Sequence, residues 1–155
     1  MGIQDILQKN AIITNIEASD KNELITRMAH HLVLLYDLKN QDAIVQKILD
    51  READMSTGIG FGIAIPHARI EGIDHVYIVA ASSVQGIEFN AIDEQPVYLI
   101  FMMLSPANAS TQYTQTLSVL SRIMSYEEIR NSLRETSDAQ TFMDIIRLGE
   151  DKYAN

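Results

Sequence analysis

Hydrophobic positions along this chain follow a helical period, then a strand period, then a helical period again. After a short amphipathic turn at residues 2–8, the stretch 11–16 (Ala-Ile-Ile-Thr-Asn-Ile) has strand composition. Asp20 followed three residues later by Glu23 forms a capping-box pattern, and Leu24, Ile25, Met28, Ala29, Leu32, Val33 and Leu35 then recur at helical spacing. A second helix is predicted from about residue 40 to Asp54, carrying Ile44, Val45, Ile48 and Leu49 inward. Three strands follow, at about 61–69, 75–84 and 96–104, with residues 86–89 suggesting a short extra one. The run from Val97 to Leu104 is almost continuously apolar, which predicts a strand covered on both faces. Helices at about 110–124, 126–135 and 138–148 complete the chain. Strands grouped between helices predict an α/β fold, a mixed sheet between helical layers.

Length and composition narrow the picture. The chain has 155 residues, 46% of them hydrophobic, which predicts one domain, residues 1–155, with a substantial core. No apolar run is long enough to cross a bilayer, and the first residues lack a signal peptide's basic flank and long apolar stretch, so a cytoplasmic location without membrane insertion is expected. Zero cysteines exclude disulfides, thiolate metal sites and cysteine nucleophiles. A formal charge of −9 argues against nucleic acid or anionic lipid as partners, both of which demand a basic surface.

The candidate chemistry lies between Ser56 and Ala68. Gly58, Gly60 and Gly62 alternate and lead into Ile63, Ile65, Pro66 and His67. Glycines let backbone N–H groups converge on an anion, and a neutral imidazole nitrogen can act as a nucleophile, so a phosphoryl group on His67 is one reading. From spacing alone, a glycine-rich turn leading into a core strand accounts for the run equally well. The other histidines give no metal-binding spacing: His30 and His31 are adjacent on a helix, and His75 opens a strand.

More distant residues change that balance. Arg51-Glu52, Ser56-Thr57-Gly58-Ile59-Gly60, Ile63-Ala64-Ile65-Pro66-His67 and Phe89 to Val97 together resemble the fructose/mannitol-type IIA domain of the bacterial phosphoenolpyruvate-dependent phosphotransferase system. The likeness runs from about residue 5 to about 148 and is greatest to the stand-alone nitrogen-regulatory branch. It implies a three-layer α/β/α fold and a transient phosphohistidine at Nε2 of His67. It further implies that Arg51 stabilises the phosphate, since a guanidinium engages two oxygens at once. Thr57, Gly58 and Gly60 would form a phosphate-facing loop. The implied donor is a small phosphohistidine carrier of the HPr/NPr type, and downstream stands either a IIB protein or a regulatory target. Transfer through a loose in-line transition state needs positioning and charge stabilisation rather than a metal or bound cofactor.

Two positions depart from the family pattern. Where many relatives carry a second histidine, this chain has Tyr113, read either as a phosphate ligand or as a partly buried tyrosine on an amphipathic helix. Phe61 stands where many relatives have asparagine, and folding back onto the core is preferred over an exposed anchor. Asp93 is accounted for by turn chemistry. Two functional classes stay open: a phosphoryl-transfer protein, or a binding module switched by phosphorylation of His67. A hydrolase using His67 as a base is disfavoured, because no serine or carboxylate is placed beside it by sequence.

Overall fold

The computed structural model describes residues 2–108 and 111–153. Its described elements are six α-helices and a mixed sheet of six strands in a three-layer α/β arrangement. The short α1 (Ile3–Ile6) and a 3-10 turn (Lys9–Ala11) lead into β1 (Ile12–Ile13). Helices α2 (Lys21–Leu35) and α3 (Gln41–Asp54) follow, and Asp20 caps α2 by accepting from the Glu23 amide at 2.8 Å. Next come β2 (Gly58–Gly60), β3 (Ile63–Ala64), β4 (His67–Ile70), β5 (Tyr77–Ile87) and β6 (Val97–Pro106). The chain then returns to helix in α4 (Thr111–Met124), α5 (Glu127–Glu135) and α6 (Ala139–Tyr153). The predicted start of α4 at residue 110 lies outside the described residues.

Strand β6 is central. It pairs antiparallel with β5 and parallel with both β3 and β4, while β1 joins β5 in parallel and β2 closes the other edge against β3. Leu99 to Leu104 are at most 1% exposed, as their unbroken apolarity predicted. Helices α2 and α3 pack together and on β5 and β4; α5 and α6 pack on the sheet at β5, β6 and β1, with α4 against both. Phe101 of β6 meets Phe142 of α6 with ring centroids 6.4 Å apart.

Four elements differ from expectation. The strand expected over 61–69 is interrupted: β3 and β4 keep one register against β6, pairing Ile63 with Leu99 and His67 with Met103, but Pro66 has no N–H to give the ladder. The strands expected at 75–84 and 86–89 are a single β5, whose pairing register shifts between Ser82 and Ile87 around Gly86 at φ +82°. Residues 11–16 contribute only two paired residues, since a 3-10 turn takes Ala11. Helix α6 runs past 148 because Glu150, 4% exposed, accepts from the amides of Ile3 and Gln4 and so ties the start of α1 to the end of α6.

Candidate functional site

His67 is placed by the sheet. It is the first residue of β4, directly after the proline interruption, half-buried and held by pairing with Met103. Its Nδ1 lies 2.9 Å from the Ile65 carbonyl oxygen. A carbonyl only accepts, so in the neutral ring Nδ1 carries the proton and Nε2 keeps a lone pair. Burial holds the His67 pKa below its ordinary 6.5; the Ile65 hydrogen bond and the Glu52 charge oppose this, while Arg51 and Arg69 reinforce it. At neutral pH the ring is therefore uncharged and nucleophilic at Nε2.

Around it lies an open pocket of about 570 Å³ whose wall includes Arg51, Ser56, Thr57, Gly58, Asn90 and Tyr113. Arg51 arrives in the last turn of α3, and its Nη1 donates to the Met55 carbonyl at 2.7 Å. Tyr113 arrives from the first turn of α4, its ring 5.7 Å from that of His67. Burial raises the Tyr113 pKa above 10.0 although Arg51 and Arg69 both pull it down, so its hydroxyl stays protonated.

Glycine has two different reasons in the loop. A Cβ on Gly58 would meet Ala91 Cβ at 2.7 Å, so close approach of the 89–92 segment requires glycine there. Gly60 has φ +97° in the β2–β3 hairpin and is not part of the pocket wall. Amides expected to face an anion are committed elsewhere. The Thr57 N–H and hydroxyl both donate to the Glu52 carboxylate, the Gly58 N–H donates to Ser56 Oγ, and the Phe61 N–H donates to Asp93. Structure thus brings His67, Arg51, Thr57, Gly58 and Tyr113 together and leaves Gly60 in the adjoining turn.

Phe61 corrects an expectation. It is 71% exposed rather than in the core, because φ +58° at the hairpin tip turns its side chain outward, where the Arg130 guanidinium lies 4.8 Å from its ring centre. Asp93 accepts from the Phe61 and Gln95 amides and so ties this hairpin to the following turn.

Two residues escaped sequence reasoning. Glu52 is 3% exposed, and its carboxylate organises the loop through Thr57. Its position on the Ile44, Ile48, Glu52 stripe was the available signal, a charge at a core-facing place. Arg69, two residues beyond His67 on β4, acts electrostatically on both His67 and Tyr113. Strand alternation from His67 was the signal for it.

The model of the phosphoenolpyruvate-dependent sugar phosphotransferase system EIIA 2 family matches residues 5–148. This chain belongs to that family. Membership makes it a phosphotransferase component that works through a histidine. The nitrogen regulatory protein of Bradyrhizobium diazoefficiens is 28% identical, with 96% of each chain covered. The fructose-specific EIIA component of Haloferax volcanii is 39% identical over 69% of this chain and 70% of its own. The fructose-specific EIIABC component of Bacillus subtilis is 36% identical over 94% of this chain, which spans only 23% of that longer protein. Among solved structures, nitrogen regulatory protein IIA-Ntr from Neisseria meningitidis superposes with a TM-score of 0.82 at 31% identity, covering 93% of this chain and 98% of that one. Among the described residues of this EIIA chain, no helix is long and apolar enough to cross a membrane.

Proposed function

We propose that this EIIA protein takes a phosphoryl group onto Nε2 of His67 from a small phosphohistidine carrier of the HPr/NPr type, and holds or relays it chiefly as a nitrogen-regulatory signal. The observation that supports His67 is its geometry: with Nδ1 held by the Ile65 carbonyl, the Nε2 lone pair is left available on a residue that lines the same pocket as Arg51. In the transfer the Nε2 lone pair forms the new P–N bond as the donor ring's P–N bond breaks, its electron pair returning to the donor nitrogen. Each ring keeps the proton on its other nitrogen, so the phosphoryl group moves alone. Arg51 steadies the equatorial oxygens, Tyr113 offers a phenolic hydrogen bond, and Thr57 and Gly58 shape the wall. The regulatory reading rests on resemblance to nitrogen regulatory proteins over nearly the whole length of both chains. In this reading the chain acts as one phosphocarrier domain in the cytoplasm.

A second reading is favoured by the fructose-specific relatives at 39% and 36% identity: relay of the group to a IIB protein of a sugar permease. Incubation with phosphoenolpyruvate and the general phosphotransferase proteins, followed by mapping of acid-labile phosphate, tests both. The expected label sits on His67 and vanishes in His67→Ala; label that persists in the folded variant refutes the assignment. Label that passes on to a IIB protein favours relay, and label that stays favours signalling.

A further inference from the structure

We infer that Arg69 is a second cation of the phosphoryl site, stabilising the charge of the group on Nε2 of His67 alongside Arg51; this rests on the phosphohistidine reading above. In β4, Ala68 and Ile70 are 6% and 8% exposed and belong to the core, whereas His67 is half-buried and Arg69 exposed. Period two therefore puts the Arg69 side chain on the face that presents His67.

A guanidinium on that face is felt at both ends of the site. Arg69 disfavours the proton on His67 and favours ionisation of Tyr113, although those two residues come from different elements, β4 and α4. One positive charge thus acts on both groups that flank the space where a group on Nε2 would develop its charge.

Arg69 is also uncommitted. Ion pairs among the described residues join Arg27 to Glu23, His75 to Asp74 and Arg147 to Asp144, so no carboxylate neutralises it. Arg51 is different, because one arm of its guanidinium is held by the Met55 carbonyl. With the loop amides of Thr57, Gly58 and Phe61 already bonded within the protein, the arginines supply the positive charge that an incoming dianion meets. The arrangement assigns complementary work: Arg51 is fixed by its own helix end, and Arg69 is free to follow the group as it moves between donor and Nε2.

The test compares wild type, Arg69→Gln and Arg69→Lys with two phosphoryl donors, a phosphorylated carrier protein and inorganic phosphoramidate, the second of which needs no docking surface. Phosphohistidine formation in Arg69→Gln should fall about tenfold with both donors, with Arg69→Lys recovering most of the loss. By NMR titration, the His67 imidazole should hold its proton to higher pH in Arg69→Gln. Formation at the wild-type rate overturns the inference, as does a loss confined to the carrier protein, which would make Arg69 a docking residue. An unmoved His67 titration also overturns it. Absence of phosphohistidine in wild type instead overturns the function proposed above, and the titration then still judges the placement of the charge.

Discussion

Replacing Glu52 with glutamine removes one negative charge from the inside of the molecule without changing its shape. In the native loop the carboxylate receives three contacts from Thr57: the amide to Oε2 at 2.7 Å and Oε1 at 3.1 Å, and the hydroxyl to Oε1 at 2.7 Å. A glutamine has a single acceptor oxygen, and its NH₂ must face one of the Thr57 donors. The hydroxyl can rotate to accept, but the backbone N–H cannot. The loop therefore exchanges a charge-assisted bond for a neutral one, at a cost of about 1–1.5 kcal/mol, the difference between the two kinds of bond. With a typical urea dependence for a domain of this size, that lowers the midpoint of unfolding by about 0.5 M. Far-UV circular dichroism in a urea series reads it directly. Thr57→Val supplies the other corner of a double-mutant cycle, and a coupling of about 1 kcal/mol or more is expected because the two side chains touch. The substitution should also let His67 lose its proton at lower pH, since the Glu52 charge is one of the influences holding its affinity up. An unfolding midpoint equal to wild type, together with an unmoved His67 titration, would refute this account of the loop.

Three further outcomes are expected. His67 has its folded pKa below 6.5, so the unfolded chain binds the extra proton first, and the stability linked to this group is present above 6.5 and lost as pH falls toward the folded value; urea midpoints at pH 5.5 and 7.5 should therefore differ less in His67→Gln than in wild type. Removal of the hydroxyl in Tyr113→Phe keeps the ring beside His67, so a change in phosphohistidine lifetime of about fivefold, the worth of roughly 1 kcal/mol, isolates the phenol's contribution, and an unchanged lifetime assigns it to packing alone. In the core, Phe101→Ala should cost about 3–5 kcal/mol by thermal or urea unfolding because Phe101 is fully buried against Phe142.

What could be read before the fold was known follows from how locally each feature is encoded. Val97 to Leu104 announce a doubly covered strand by themselves, and the Asp20–Glu23 cap needs only four residues. That His67 and Arg51 would share one neighbourhood was legible because a compact motif carries them. Features that depend on what lies across the sheet were not. Phe61 is apolar, and only the positive φ of its hairpin sends it outward; Glu52 is charged, and only its Thr57 partner explains its burial. At Gly58 the need for a glycine is also set by Ala91, a neighbour more than thirty positions away. Arg69 lay within reach of strand alternation from His67, a strand start that Pro66 sets by breaking the ladder in front of it.

That break has a kinetic meaning. On either side of it the chain finds its partners, the Ile65 amide giving to the Thr57 carbonyl and the Pro66 carbonyl receiving the Met103 amide, while the Ile65 carbonyl is taken by the imidazole. A ring anchored through Nδ1 to the backbone need not rotate or exchange a proton with solvent when a substituent arrives on Nε2. The unmodified and modified side chains can share one rotamer and one tautomer, so little reorganisation separates them. An interrupted strand thereby gives the histidine a regiochemical memory: whichever electrophile reaches the pocket, the same nitrogen is waiting for it.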